Sequence, residues 1–174
     1  MPPITIIFVV SGLAVLLNGL AFLGVGAKAA PDTPDPLVSV GWVTLVAGIL
    51  DFAQAVYILA AAPPATGIPL GGLVVFYATF FTTLGITLVK GLDLRPVGNL
   101  AVAVAIVPLF WWKFFDGSWM FHSILVVWVV AFLAVTLTTY GKLPGRVLGV
   151  ILTLTALYTF LTPAALLALG HAIP

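Results

Sequence analysis

The chain has 174 residues, of which 63% are hydrophobic and only 6% are charged, and its formal net charge is +1. Soluble domains carry about 25% charged residues, so this composition, with a mean hydropathy of +1.29, predicts an integral membrane protein. The small net charge and the absence of a basic cluster argue against nucleic acid as a partner. The absence of Cys excludes disulfides, thiolate nucleophiles and cysteine metal sites.

Six apolar segments follow one another along the chain. Each has roughly the 17 to 25 residues that a helix needs to cross about 30 Å of hydrocarbon. The predicted transmembrane spans lie at about 4–25, 37–61, 70–89, 97–115, 119–139 and 147–169. We therefore expect an all-α membrane protein, a single transmembrane domain whose six helices form three hairpins.

The loops between these spans carry nearly all the charge. The segment 90–99, K-G-L-D-L-R-P-V-G-N, cannot lie in hydrocarbon and is predicted to be a water-facing turn, in which Asp93 and Arg95 pair. Loops one, three and five contain the basic residues Lys28, Lys90, Arg95, Lys142 and Arg146, whereas loops two and four contain only Lys113. The positive-inside rule places the odd loops in the cytoplasm and both termini outside.

Small residues recur at heptad spacing in the first two spans. They are Gly12, Gly19 and Gly26 in one span and Gly41, Gly48 and Ala55 in the next. Such residues allow two helices to approach closely. We expect tight packing in this first hairpin.

Three polar side chains lie at membrane depth in the first two spans. Asp51 is followed one turn later by Gln54, and Asn18 lies at a comparable depth. An ionisable residue in this position is a functional candidate, for example in a proton relay. A buried hydrogen-bonded group of Asp51, Gln54 and Asn18 explains the same residues structurally, and the sequence does not decide between the two interpretations.

Large and hydroxyl-bearing side chains follow helical faces in the later spans. Tyr77 and Phe81 lie one turn apart in the third span, and the fifth carries Phe121, Leu125, Trp128 and Phe132 on one face. Periodicity alone favours a lipid-facing or core stripe over a functional one. Thr155, Thr159 and Thr162 share a face of the sixth span and are consistent with a wetted path, although such hydroxyls often bond to their own backbone.

Enzyme and metal chemistry have little support in the sequence. His122 and His171 have no acidic or Cys partner at metal-ligand spacing, and the chain contains no Glu. We expect no metal, no cofactor and no enzymatic activity.

Several short motifs occur in an order that resembles a known family. They are Leu17-Asn18-Gly19, then G-L-D-L-R-P at 91–96, Ile106-Val107-Pro108, and K-L-P-G-R at 142–146. Together they are similar to the bacterial AmiS/UreI family of urea and short-chain amide channels. The resemblance implies a six-helix protomer with its own pore, a homohexamer in the bacterial inner membrane, and supply of solute to a cytoplasmic amidase or urease.

The resemblance also assigns pore-lining positions. They fall on Phe8, Ser11 and Val15 in the first span, on Tyr77 and Phe81 in the third, and on Phe121, Leu125, Trp128 and Phe132 in the fifth. The resemblance thus implies that the large side chains of the fifth span face the pore and not the lipid. Thr155 stands where acid-activated urea channels have a Glu, Asp51 has no acidic counterpart there, and loops two and four contain no His, so acid gating of that type is not expected.

These residues suit a pore for small neutral amides. Aromatic faces accommodate a planar solute, while Tyr77, Asn18 and the Thr hydroxyls replace part of its lost hydration. We expect a passive channel for urea or short-chain amides. A proton-coupled carrier that uses Asp51 is the alternative, and a purely structural membrane subunit also remains open.

Overall fold

The computed structural model describes residues 4–26 and 35–174 and contains six long helices. They are α1 (Ile4–Leu23), α2 (Pro36–Ala61), α3 (Pro64–Lys90), α4 (Arg95–Phe115), α5 (Trp119–Thr139) and α6 (Gly145–Ala168). All six are long and apolar enough to cross a membrane. The predicted all-α membrane fold is confirmed, while Lys28 and the other first-loop residues 27–34 lie outside the described residues.

The third helix begins six residues earlier than the predicted span. Residues 63–69 contain three prolines and suggest a loop, yet α3 starts at Pro64 and includes Pro69. Pro64 stands in the first turn of the helix, where proline is tolerated because an N–H there has no partner in the helix. The Pro63 carbonyl accepts a hydrogen bond from Gly67 N at 2.7 Å and closes this first turn.

Two helices depart from regular α geometry. The second part of α4, Val107–Phe115, is a 3₁₀ helix with Pro108 in its first turn. In α6, Ala156–Leu161 form a π-helical segment, and the Thr162 hydroxyl donates to the Leu157 carbonyl five residues earlier at 2.8 Å. Such π segments occur frequently at functional sites, and this one lies in the middle of its helix.

The helices form a closed ring, because each contacts its neighbours in the chain and α6 packs against α1. The most extensive contacts join α2 to α3, α1 to α6 and α4 to α5. Glycines of α2 allow its close contact with α3, and glycines of α1 allow its close contact with α6. A Cβ at Gly19 would lie 2.8 Å from Thr153 N in α6, and one at Gly48 would lie 2.5 Å from Thr82 N in α3.

This result corrects the expectation that these glycines pack α1 against α2. Gly12 faces Phe160 of α6, and Gly41 faces Leu88 of α3. Gly26 lies beyond the end of α1, and Ala55 is fully buried in α2. Close approach at small residues is therefore present, but it joins each of the first two helices to a different partner.

The turn between α3 and α4 contains the predicted ion pair. Arg95 Nε donates to Asp93 Oδ2 at 2.8 Å, and the backbone N–H of Arg95 donates to Asp93 Oδ1 at 2.9 Å. The hydrogen bond from the Arg95 side chain lowers the pKa of Asp93. Gly91 ends α3 in the left-handed region with φ of 62°, a conformation that favours glycine.

The turn between α5 and α6 lies at the same end of the molecule as this one. The Tyr140 hydroxyl, at the end of α5, donates to Asn99 Oδ1 near the start of α4 at 2.7 Å. Lys90, Arg95, Lys142 and Arg146 therefore cluster at one end. The start of α1 at Ile4 and the end of α6 at Ala168 lie at the opposite end.

Candidate functional site

Two cavities lie one behind the other along the axis of the helix ring. The larger has a volume of about 260 Å³ and extends to Leu94 and Thr139, at the end that carries the basic residues. The smaller has a volume of about 40 Å³ and extends to Ile4 and Phe115, at the end of the termini. We call them the large cavity and the small cavity.

The helices contribute unequally to these cavities. The lining comes from α1, α3, α5 and α6, with Phe115 from α4 and Leu94 from the preceding turn. Among the described residues, none from α2 lines either cavity. The helix α2 thus belongs to the ring but presents no side chain to either cavity.

Three aromatic rings separate the two cavities. Phe81, Trp128 and Phe160 line both of them. The Trp128 and Phe160 rings stack with centroids 5.2 Å apart, and Tyr77 packs edge-on against Trp128 at 4.5 Å. We call Phe81, Trp128 and Phe160 the aromatic constriction.

Each residue that was assigned to a pore lining borders at least one of the two cavities. The large cavity is lined by Val15, Asn18, Phe81, Trp128, Phe132 and Thr155. The small cavity is lined by Phe8, Ser11, Tyr77, Phe81, Phe121, Leu125 and Trp128. The stripe of the fifth helix therefore faces the ring axis, which periodicity alone had not favoured.

The indole of Trp128 is held by a hydrogen bond. Its Nε1 donates to Thr159 Oγ1 at 2.8 Å, and that hydroxyl donates to the Thr155 carbonyl at 2.8 Å. Thr159 is fully buried. Both polar atoms of the pair are thereby satisfied in an apolar interior, and the large ring is fixed in one orientation.

The three threonines of α6 that the sequence suggests as a wetted path have different surroundings. Thr155 lines the large cavity. The hydroxyls of Thr159 and Thr162 instead donate to backbone carbonyls of their own helix, the alternative that is common in apolar helices. Thr159 acts as a support for Trp128 rather than as part of a polar surface.

The expected group of Asp51, Gln54 and Asn18 does not form. Asp51 is fully buried, and its Oδ2 accepts a hydrogen bond from Ser11 Oγ at 2.6 Å. Its Oδ1 and the side-chain oxygen of Gln54 have no partner among the described residues. Asp51 borders neither cavity, so it lies behind Ser11 and outside the axis of the ring.

Asn18 has different partners, about two turns further along α1 than Ser11. Its Nδ2 donates to the Ala14 carbonyl at 2.9 Å and to Thr44 Oγ1 at 2.8 Å. The Thr44 hydroxyl donates in turn to the Val40 carbonyl at 2.9 Å. Asp51 and Asn18 thus belong to two separate contacts between α1 and α2, because each found a hydroxyl partner on the facing helix.

Sequence reasoning missed Phe160, the third ring of the aromatic constriction. It also missed that Thr159 supports Trp128 and that Thr44 supports Asn18. Phe160 is 4% exposed and lies in the π-helical segment, whose altered register cannot be read from a regular helical period. Its only sequence signal is that it is an aromatic residue in the interior of the sixth span.

Within the described residues, no group of three or more His, Asp or Glu side chains could hold a metal ion. His122 stacks on Trp112 with ring centroids 4.2 Å apart, and its Nε2 lies 3.0 Å from the Trp112 carbonyl oxygen. Asp116 Oδ1 is 3.8 Å from the same nitrogen. These contacts of His122 join the start of α5 to the end of α4 and to the turn between them.

Of the comparisons with known proteins, the comparison of structures gives a match. No protein-family model and no curated protein sequence matches the chain. The structure is similar to the cryo-EM structure of the Helicobacter pylori urea channel in its closed state, with a TM-score of 0.78. The two chains are 18% identical over 99% of this chain and 100% of that one, so this protein has the fold of that urea channel along its whole length.

Proposed function

We propose that the protein is a passive channel for urea and short-chain aliphatic amides and belongs to the AmiS/UreI family. The observation that carries this proposal is the aromatic constriction, which lies between two cavities on the axis of a helix ring. The shared fold with a urea channel supports it. The motifs at 17–19, 91–96 and 142–146 support it independently of the fold.

The chemistry of the lining suits a neutral planar solute. Aromatic faces contact both sides of a flat molecule, and a few hydroxyl and amide groups return some of its hydrogen bonds. No Lys, Arg, Asp or Glu among the described residues lines either cavity. An ion would lose its hydration in the constriction without compensation, so the lining disfavours ions.

The assembly and orientation belong to the same proposal. We place the protein in the bacterial inner membrane with the basic end in the cytoplasm and both termini outside. Exposed apolar residues of α2, including Trp42, Ile49 and Val56, face lipid or neighbouring protomers of a homohexamer. The solute would supply a cytoplasmic amidase or urease, and the protein itself is not an enzyme.

A proton-coupled carrier is less well supported. Such a carrier needs Asp51 to face the solute path, whereas this carboxyl is fully buried and borders neither cavity. Its partner Ser11 lies between it and the small cavity. A passive channel needs no titrating group.

The test is stopped-flow swelling of proteoliposomes with urea, formamide, acetamide and glycerol. We expect urea and the two amides to enter faster than into protein-free liposomes. Trp128→Ala and Phe81→Ala should change the ratio of urea to glycerol entry, because both rings form part of the aromatic constriction. Background rates for all four solutes, or ratios unchanged in both variants, would reject the proposed pore.

A further inference from the structure

The side chain of Asn18 lines the large cavity, and its orientation can be derived from its hydrogen bonds. Nδ2 lies 2.9 Å from the Ala14 carbonyl oxygen, which can only accept. Nδ2 also lies 2.8 Å from Thr44 Oγ1. The proton of that hydroxyl is used in the bond to the Val40 carbonyl at 2.9 Å. Thr44 therefore also accepts from Asn18.

Both neighbours thus require the NH₂ group of Asn18, and a flipped amide would place its oxygen against two acceptors. Each proton of the NH₂ group is used by one of them. Asn18 Oδ1 takes no part in these bonds. It does not belong to the fully buried side-chain oxygens that have no hydrogen-bond partner. Since Asn18 borders the large cavity, this oxygen keeps access to it.

We infer that Asn18 Oδ1 is a fixed hydrogen-bond acceptor for solute N–H groups and that Thr44 is the residue that positions it. The inference rests on the proposed channel function and names the solute chemistry selected at this point. Urea and primary amides carry N–H donors that an oxygen acceptor can bind. A solute of similar size without a donor gains nothing there.

The position of Thr44 makes this inference testable without altering the cavity lining. Thr44 is fully buried on α2 and borders neither cavity. In Thr44→Val the shape of the side chain is kept, but Asn18 loses one of the two acceptors that hold its amide in this orientation. Thr44→Ser keeps the hydroxyl and should behave like the unaltered protein.

The matched control is Thr87→Val. Thr87 is also buried in its helix, and its hydroxyl donates to the Thr83 carbonyl at 2.8 Å, four residues earlier, as Thr44 does to Val40. No contact joins Thr87 to Asn18 among the hydrogen bonds of the described residues. This variant reports the general cost of removing a buried threonine hydroxyl.

The experiment measures solute entry into proteoliposomes containing equal amounts of folded protein. We expect Thr44→Val to lower urea entry by about three- to tenfold, the scale of one neutral hydrogen bond, while Thr44→Ser and Thr87→Val do not. Entry of dimethyl sulfoxide, which has as many non-hydrogen atoms as urea but no N–H or O–H, should not change. In an Asn18→Ala background, Thr44→Val should have no further effect.

Three results would overturn the inference: an equal loss of urea and dimethyl sulfoxide entry, a full additional loss in the Asn18→Ala background, or unchanged urea entry in Thr44→Val. Each can be told apart from failure of the channel proposal itself. That failure would appear as background urea entry through the unaltered protein.

Discussion

At the scale of single residues, the aromatic constriction depends on polar groups that the solute need not touch. Trp128 is the largest side chain between the two cavities, and its only polar atom is bonded to Thr159. A ring that is held on one side by a hydrogen bond and on the other by stacking on Phe160 has few alternative orientations. Selectivity should therefore depend on Thr159.

Replacement of Thr159 by Val tests this dependence. The change keeps the shape of the side chain but leaves the buried indole N–H without an acceptor. We expect the ratio of urea to glycerol entry to fall by about two- to fivefold, since a less constrained Trp128 admits the bulkier solute. Thr159→Ser should restore the ratio, and an unchanged ratio in Thr159→Val would show that packing alone holds the ring.

Asp51 gives the clearest distinction between a structural and a transport role. It accepts from Ser11 and borders neither cavity, so Asp51→Asn should keep urea entry within about twofold, because the Asn oxygen still accepts that hydrogen bond. The measurement is urea entry over a range of pH values. A loss of pH-dependent entry in this variant, with folding intact, would favour the carrier.

At the scale of helices, the six apolar segments predicted six helices, because hydrocarbon thickness sets the length that each segment needs to span the membrane. The resemblance predicted the inner faces of α3 and α5. Neither the apolar segments nor the resemblance could predict which helices pack most closely. An apolar helix face is covered equally well by lipid and by another helix. Gly48 illustrates this, because its spacing indicates a close contact but does not identify α3 as the partner.

Gly48→Ala tests the contact between α2 and α3. The new Cβ would lie 2.5 Å from Thr82 N, a backbone atom that cannot move aside cheaply. We expect a loss of about 1–3 kcal/mol in stability, as for other overpacked sites, visible as a lower melting temperature in detergent.

The matched variant for this test is Gly72→Ala in α3. Its Cβ would approach only Trp111, at 3.9 Å, so its melting temperature should stay close to that of the unaltered protein. Equal melting temperatures for Gly48→Ala and Gly72→Ala would contradict the close packing of α2 on α3.

At the scale of the whole molecule, four helices supply most of the lining of the two cavities and α2 holds polar residues of α1 in place. α1, α3, α5 and α6 surround the axis, while α2 supports α1 through Thr44 and Asp51. The resemblance pointed to residues that border the two cavities, because the space along the ring axis imposes residue types on the inner faces. The supporting hydroxyls could not, because their partners are set by helix pairing.

The central claim is that neutral solute crosses passively through the aromatic constriction. The most direct measurement is the uptake of radiolabelled urea into proteoliposomes with and without an imposed proton gradient. We predict entry faster than into protein-free vesicles and a final internal concentration equal to the external one, whether or not the gradient is present. Entry at the background rate, or accumulation above the external concentration that an uncoupler abolishes, would contradict the account.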